Sequence, residues 1–468
     1  MSFPTPNTVG RTVHVPPQQY KCSQCGKTTD LRFCVCREVM YCSVECQKIH
    51  WKSTHKPFCT GAPDLIDIAS IYPLLALIAD FFHQGPTKPA HPALNHTIIN
   101  SPNPIPAPDL LPDGYKARLV VLGDPVPQEE VVQHPEVWWP KPWLPDVRKK
   151  LLGRILREGY LLPIMTALCV ALIAEIYTTT DEPNAPNSMS GPPSRSPRRR
   201  LRLKYKTSPV SDFGIAKGKI LTPDHRKLAY YIPAQDRWLK GQDPDDHYWL
   251  YFTTLKGEEV ILDYGVYTFD LGMFVDTAAY QNEHLPPLPV APGYFGDRQQ
   301  NNQMERLSKS FQMHRPTQRF SFLRDKALHS KLARGIDSLS DAQNVRALWG
   351  LMDRIAGRGC TAVEKDLAVK WANVACLEMW VVVNDPKQPW TKWPEVPRTM
   401  LEPNHEEFDK DGNWGFPSDR DDVAWRPLDK LFKKYNRGEI SLGAFGKGYM
   451  EWSAKRSPEG IIKLDFEK

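Results

Sequence analysis

Apolar positions in this chain fall in blocks whose period changes from one stretch to the next. Asp64 to Phe82 and Tyr160 to Tyr177 are nearly continuous apolar runs. Each contains a proline (Pro73, Pro163) and acidic residues (Asp67 and Asp80, Glu175). Neither reaches the roughly 20 apolar residues that cross a bilayer, so both are expected to be buried helices with no membrane role. Val147, Leu151, Leu152, Ile155 and Leu156 recur at helical spacing and predict a helix from about Pro145 to Glu158. Arg118 to Leu122 reads as a strand ended by Gly123-Asp124. Tyr248 to Leu255 and Glu259 to Tyr264 read as paired strands, with Lys256-Gly257 as the tight turn. Residues 303–380 carry helical periodicity, with Ser340-Asp341 as an N-cap, and two more helices are expected at Leu428 to Tyr435 and Leu442 to Ser453. The sum is an α+β chain.

Interruptions in the pattern divide it. Residues 1–17 are rich in Pro and Thr and read as a disordered tail. Residues 18–60 are rich in cysteine. Residues 61–180 are mostly helical, with a proline-rich loop over 86–112. Residues 181–211 read as a disordered basic linker, and 212–468 as a larger α+β body. The linker contains Arg195-Ser-Pro-Arg-Arg-Arg-Leu-Arg-Leu-Lys-Tyr-Lys206, which is basic without a single acid. Three readings stay open for it: a nuclear-localisation signal, a nucleic-acid contact, or a solvated loop entering a strand in which Leu201, Leu203 and Tyr205 alternate.

Composition narrows the picture little. At 468 residues the chain has room for two to three domains, and a formal charge of +6 does not demand a nucleic-acid partner. Its 44 prolines imply extensive loops.

The chemistry lies in the cysteines. Seven of the ten fall in Cys22-x2-Cys25-x8-Cys34-x-Cys36-x5-Cys42-x3-Cys46-x8-His55-x3-Cys59. Thiolates and an imidazole in two sets of four favour two Zn2+ ions. So short a segment buries no core of its own, and metal would supply much of its folding free energy. An odd cysteine count behind a polar N-terminus argues against secreted disulfides, so an intracellular location is expected, nucleus or cytoplasm left open. Spacing allows sequential as well as interleaved pairing of the ligands.

Val39-Met-Tyr-Cys42-Ser-Val-Glu-Cys46-Gln47, then Trp51 and His55-Lys-Pro-Phe-Cys59, resembles the MYND zinc finger over residues 18 to 60. The resemblance implies interleaving: Cys22, Cys25, Cys42 and Cys46 on one zinc, and Cys34, Cys36, His55 and Cys59 on the other. His50 is read as a surface histidine, because the ligand histidine of the family is followed by lysine, as His55 is. The resemblance also implies a protein-binding module for proline-rich Pro-x-Leu-x-Pro peptides, with Gln47 and Trp51 at the contact. Pro108-Asp-Leu110-Leu-Pro112 fits that peptide pattern within the chain itself. The stretch from Asp246 to Asp270 is similar to the body of fungal proteins that carry N-terminal MYND fingers, which implies no activity.

Three fragments of the body suggest enzymes or ions, each incompletely. Gly257-Glu-Glu-Val-Ile-Leu-Asp-Tyr-Gly265 resembles the closing signature of SET-type methyltransferases, without their upstream Asn-His-x-Cys. Cys169, His247 and Asp263 offer the residue types of a cysteine-hydrolase triad. Asp409-Lys-Asp-Gly-Asn413 has part of a calcium loop, but Arg420 stands where a glutamate is needed. With no complete constellation, the chain is expected not to be an enzyme.

Overall fold

The computed structural model describes residues 12–14, 20–59, 65–100, 109–140, 145–175, 177–179, 198–282, 284–297, 313–332, 335–383, 385, 387–401 and 426–454. It is an α+β protein with a small N-terminal finger. The finger consists of a two-stranded hairpin, Arg32–Phe33 against Met40–Tyr41, and the helix Val44–His50, which runs on through the wide turn Trp51–His55.

The first part of the body is a seven-stranded sheet. Its order is Tyr294–Asp297, Glu259–Asp263, His247–Thr254, Ser208–Ile220, Leu203–Tyr205 and Ile66–Asp67, with His314–Ser321 also paired to Ser208–Ile220. Side chains alternate along His247–Thr254, as a pleated strand requires. Tyr248, Leu250 and Phe252 join the main core with the helices Ile68–Gln84, Leu161–Glu175, Ala342–Ala356 and Ala362–Val383. Trp249 and Tyr251 join a separate cluster with Ala216, Ile261 and Tyr294. Leu161–Glu175 is apolar on every side, and residues 161–174 are all buried, which is what such a helix needs. No single helix among the described residues is long and apolar enough to cross a membrane.

The second part is a five-stranded sheet in which Arg237–Lys240, Leu228–Ile232, Lys116–Pro125 and His96–Ile98 lie side by side and Asp109–Leu110 pairs with the start of Lys116–Pro125. Val120, Leu122, Tyr230 and Ile232 face Trp138, Trp139 and the helix Pro145–Leu156. Leu119, Val121 and Tyr231 face the helix pair Arg426–Asn436 and Leu442–Ala454 through Phe445 and Tyr449.

Several expectations shift. The strand through Arg118 does not stop at Gly123 but runs to Pro125. A Cβ on Gly123 would stand 2.5 Å from the Ile99 side chain and 2.7 Å from the Thr97 hydroxyl, so glycine here admits a close neighbour strand rather than a turn. The helical stretch expected over 303–380 is opened by the strand His314–Ser321. The linker expected over 181–211 is sheet from Arg198 onward, in strands Arg198–Leu201, Leu203–Tyr205 and the start of Ser208–Ile220. Within the expected tail, Thr12–His14 is a strand. Within the expected proline-rich loop lie a short helix, Pro92–Asn95, and two strands. The Asp409–Asn413 fragment lies outside the described residues.

Candidate zinc centre

Two backbone knuckles and one helix bring the eight ligands together. At the first knuckle the Cys22 N–H donates to the Lys27 carbonyl, 2.7 Å, and the Gly26 N–H to Cys22, 2.9 Å. At the second, the Cys34 N–H donates to Val39 and the Arg37 N–H to Cys34, 2.9 and 2.8 Å, with Arg37 in the left-handed region. Ser43 caps the helix by accepting from the Cys46 N–H, 3.2 Å, which sets Cys42 and Cys46 one helical turn apart.

The donors form two groups, Cys22, Cys25, Cys42 and Cys46, and Cys34, Cys36, His55 and Cys59. The pairing is therefore interleaved, and Cys34 is in the set despite its one-residue spacing from Cys36. Sulfurs of Cys25 and Cys42 are 3.4 Å apart, Cys42 and Cys46 3.6 Å, and Cys34 and Cys59 3.8 Å; Cys36 Sγ is 3.3 Å from His55 Nε2. A tetrahedral zinc with Zn–S of about 2.3 Å has S···S edges of about 3.8 Å and N···S edges of about 3.5 Å, so the residues fit the ion.

Electrostatics agree. The neighbouring Cys25 thiol pushes Cys42 up to about 12, and burial pushes Cys36 up as well. Such crowded thiols ionise together only around a cation. Burial opposes ionisation of Cys22 too, but backbone N–H groups outweigh it and bring that thiol to about 6.

His50 is in neither group. It is half-buried, its Nδ1 lies 2.9 Å from the Tyr41 hydroxyl, and its ring stacks on His55 at 5.9 Å. Tyr41 and His50 thus brace the ligand His55, a supporting role that ligand spacing does not reveal. Trp51 packs edge-on to His55 at 5.6 Å and is half-buried, as is Gln47.

The structure brings together only part of the hydrolase constellation. His247 Nε2 lies 2.8 Å from Asp263 Oδ2, and His314 Nε2, which the sequence did not flag, lies 2.7 Å from the same oxygen. The Gly265 N–H donates to Oδ1, 2.8 Å. Cys169 stands apart. It belongs to the core on the opposite face of His247–Thr254, where Tyr248, Leu250 and Phe252 point, and burial pushes its thiol well up. The triad is not assembled. Instead the sheet separates its nucleophile from its base.

The methyltransferase-like fragment is the interior of a hairpin. Gly257 takes the left-handed turn, Thr254 Oγ1 donates to Glu258 at 2.9 Å, Asp263 is held by the two histidines, and Tyr264 is buried. In the basic stretch, Leu203 and Tyr205 are buried as the strand reading expects. Arg202 is buried with its guanidinium over Trp390, Lys204 pairs with Asp67, and Lys206 with Asp297, leaving these three charges committed to the body. Leu110 of the internal Pro-x-Leu-x-Pro match is part of a strand in the second sheet.

Comparison with known proteins places the finger and only the finger. Residues 22–59 match the family described as the MYND finger, so this protein carries a two-zinc MYND finger. Ubiquitin carboxyl-terminal hydrolase 19 of Arabidopsis thaliana is 49% identical over 41 residues, 9% of this chain and 6% of that protein. The chain thus matches a small fraction of that relative, and the shared part is the finger. No solved structure matches the chain.

Proposed function

We propose that the finger is a protein-interaction module that docks extended proline-rich segments of partner proteins. The supporting observation is the distribution of exposed apolar side chains. Val35, Val44 and Ile49 of the finger are 62%, 56% and 54% exposed, although the finger has almost no apolar core apart from its metal ligands. A polyproline segment is extended beforehand and loses little entropy on docking to exposed apolar side chains such as these. Gln47 borders the exposed helix face, while Trp51 contributes through its edge and also backs His55. The body presents the finger without catalysis of its own, and the protein works inside the cell, where the thiols stay reduced.

The test is titration of a fluorescent Pro-x-Leu-x-Pro peptide against the zinc-loaded full chain. Binding that Ile49→Glu and Gln47→Ala weaken by about tenfold or more, with both zinc ions retained, supports the reading. If the unmodified protein shows no saturation up to about 1 mM peptide, the partner class is wrong.

A further inference from the structure

A cluster of ionisable side chains lies in the body, apart from the finger and from the Asp263 pair. Two of its members come from the loop that follows the helix Ile68–Gln84, where Thr87, Pro89 and Ala90 are exposed and Lys88 and His91 are half-buried. Lys88 Nζ donates to the Leu156 carbonyl at the end of the helix Pro145–Leu156, 2.6 Å. The next residue, Arg157, is engaged by Asp80 through two bonds of 2.7 and 2.9 Å. Glu158 is buried, and His91 Nε2 lies 3.4 Å from its Oε2. His91 Nδ1 accepts from the Ala93 N–H, 3.2 Å, which leaves the ring proton on the nitrogen facing Glu158.

Two polar atoms of the cluster are left over. Among the described residues, Glu158 Oε2 and the fully buried Tyr230 hydroxyl complete no hydrogen bond, although Tyr230 faces Glu158 and its ring lies 4.6 Å from that of His91. Buried polar atoms of this kind call for a ligand or a water to complete them. The carboxylate is set close against Gly241, where a Cβ would stand 2.9 Å from Oε1. Burial, helped by the Arg157 charge and opposed by Glu158, brings the Lys88 amine down to about 7. Burial, with the charges of Lys88 and Arg157, keeps the neighbouring His83 neutral.

We infer that Lys88 is a nucleophilic amine that binds small aldehydes covalently, with Glu158 as the counter-ion of the adduct. The neutral amine adds to the carbonyl carbon, so that a C–N bond forms and the carbonyl oxygen becomes a hydroxyl. That hydroxyl leaves as water and the product is an imine, with nothing oxidised or reduced. A proton from solvent converts the imine to an iminium. Both leftover atoms then have a partner. The Tyr230 hydroxyl, which burial keeps un-ionised, donates to the oxygen of the aldehyde, and Glu158 faces the cationic nitrogen. The inference does not depend on the partner proposed for the finger.

The test treats the zinc-loaded full chain at pH 7 with limiting propanal and cyanoborohydride, which traps the iminium as propyl-lysine, and locates the modified lysines by peptide mass spectrometry. Lys88 is expected to react about tenfold or more faster than the exposed Lys48 and Lys387, with a rate that levels off close above pH 7 rather than near the ordinary lysine value of about 10.4. Equal or slower reaction of Lys88 overturns the inference. In urea, where the cluster is dispersed, the preference should vanish, and a preference that survives unfolding also overturns it. Glu158→Gln should lower the trapped adduct about fivefold in protein that still melts cooperatively, and an undiminished yield overturns the counter-ion.

Discussion

Asp263 shows how much one buried side chain can be asked to hold. Its carboxylate is fully buried, accepts from two imidazoles and a backbone N–H, and sits where three strands meet. Burial alone would raise its pKa, but His247 and His314 outweigh that and hold it well below the usual carboxylate range. The folded value lies below the unfolded one of about 3.9, so the carboxylate contributes stability that is complete above that value and lost as pH falls towards the folded one. Asp263→Asn should cost about 3–5 kcal/mol at neutral pH, because it leaves buried groups unpaired. It should also flatten the loss of stability between about pH 5 and pH 3. Urea melts across pH check both, and an unchanged acid limb would show that the carboxylate is not the titrating group. His247 and Asp263 were legible as a pair from their places on two adjacent strands. His314 was not, since its pairing with Ile220 joins segments almost a hundred residues apart and no local pattern reports it.

At the scale of elements, the interleaved finger makes a prediction that sequential pairing does not. Cys25→Ser and Cys46→Ser remove ligands of the same ion, whereas Cys25→Ser and Cys59→Ser remove ligands of different ions. Native mass spectrometry should find one zinc retained in each single variant and in Cys25→Ser/Cys46→Ser, and none in Cys25→Ser/Cys59→Ser. Ser43→Ala, which removes the helix cap, should cost about 1 kcal/mol and make the first site easier to strip. The finger was the most legible element, because ligand spacing and the residues between the ligands specify it without reference to anything distant. The hairpin at Lys256-Gly257 was equally plain, with a glycine where the turn needs a positive φ and an apolar run on both sides. Gly123 misled, since a glycine admitting a neighbour strand and a glycine making a turn look alike in sequence. The basic stretch misled in the same way, because arginines that carry a strand cannot be told by composition from arginines in a solvated loop.

For the whole molecule, one face of the second sheet is covered, among the described residues, by the C-terminal helix pair. Ending the chain after Leu401 would uncover Ile99, Leu119, Val121 and Tyr231. Such a truncation should bind a hydrophobic dye strongly and melt well below the full chain, and unchanged dye binding would mean that the helix pair is dispensable. The architecture was the least legible level. The order of strands in the first sheet depends on Ile66 meeting Leu203 and on His314 meeting Ile220, contacts that hydrophobic periodicity cannot encode.

Two strands made after the finger, Arg198–Leu201 and Leu203–Tyr205, receive its flanks at Thr12–His14 and Ile66–Asp67, which sets an order of events during synthesis. At about 5–20 residues per second, the roughly 150 residues between Cys59 and Tyr205 take about seven to thirty seconds to make. Through that interval the finger has all its metal ligands but nothing to dock on. Its second knuckle, with Phe33 and Arg37, faces the surroundings instead of the Thr207 and Lys256 turns. A factor meeting the nascent chain therefore meets a surface that the finished protein partly covers, Arg37 then donating to Thr207 and Phe33 lying near Lys256, and zinc taken up then is in place before the finger docks.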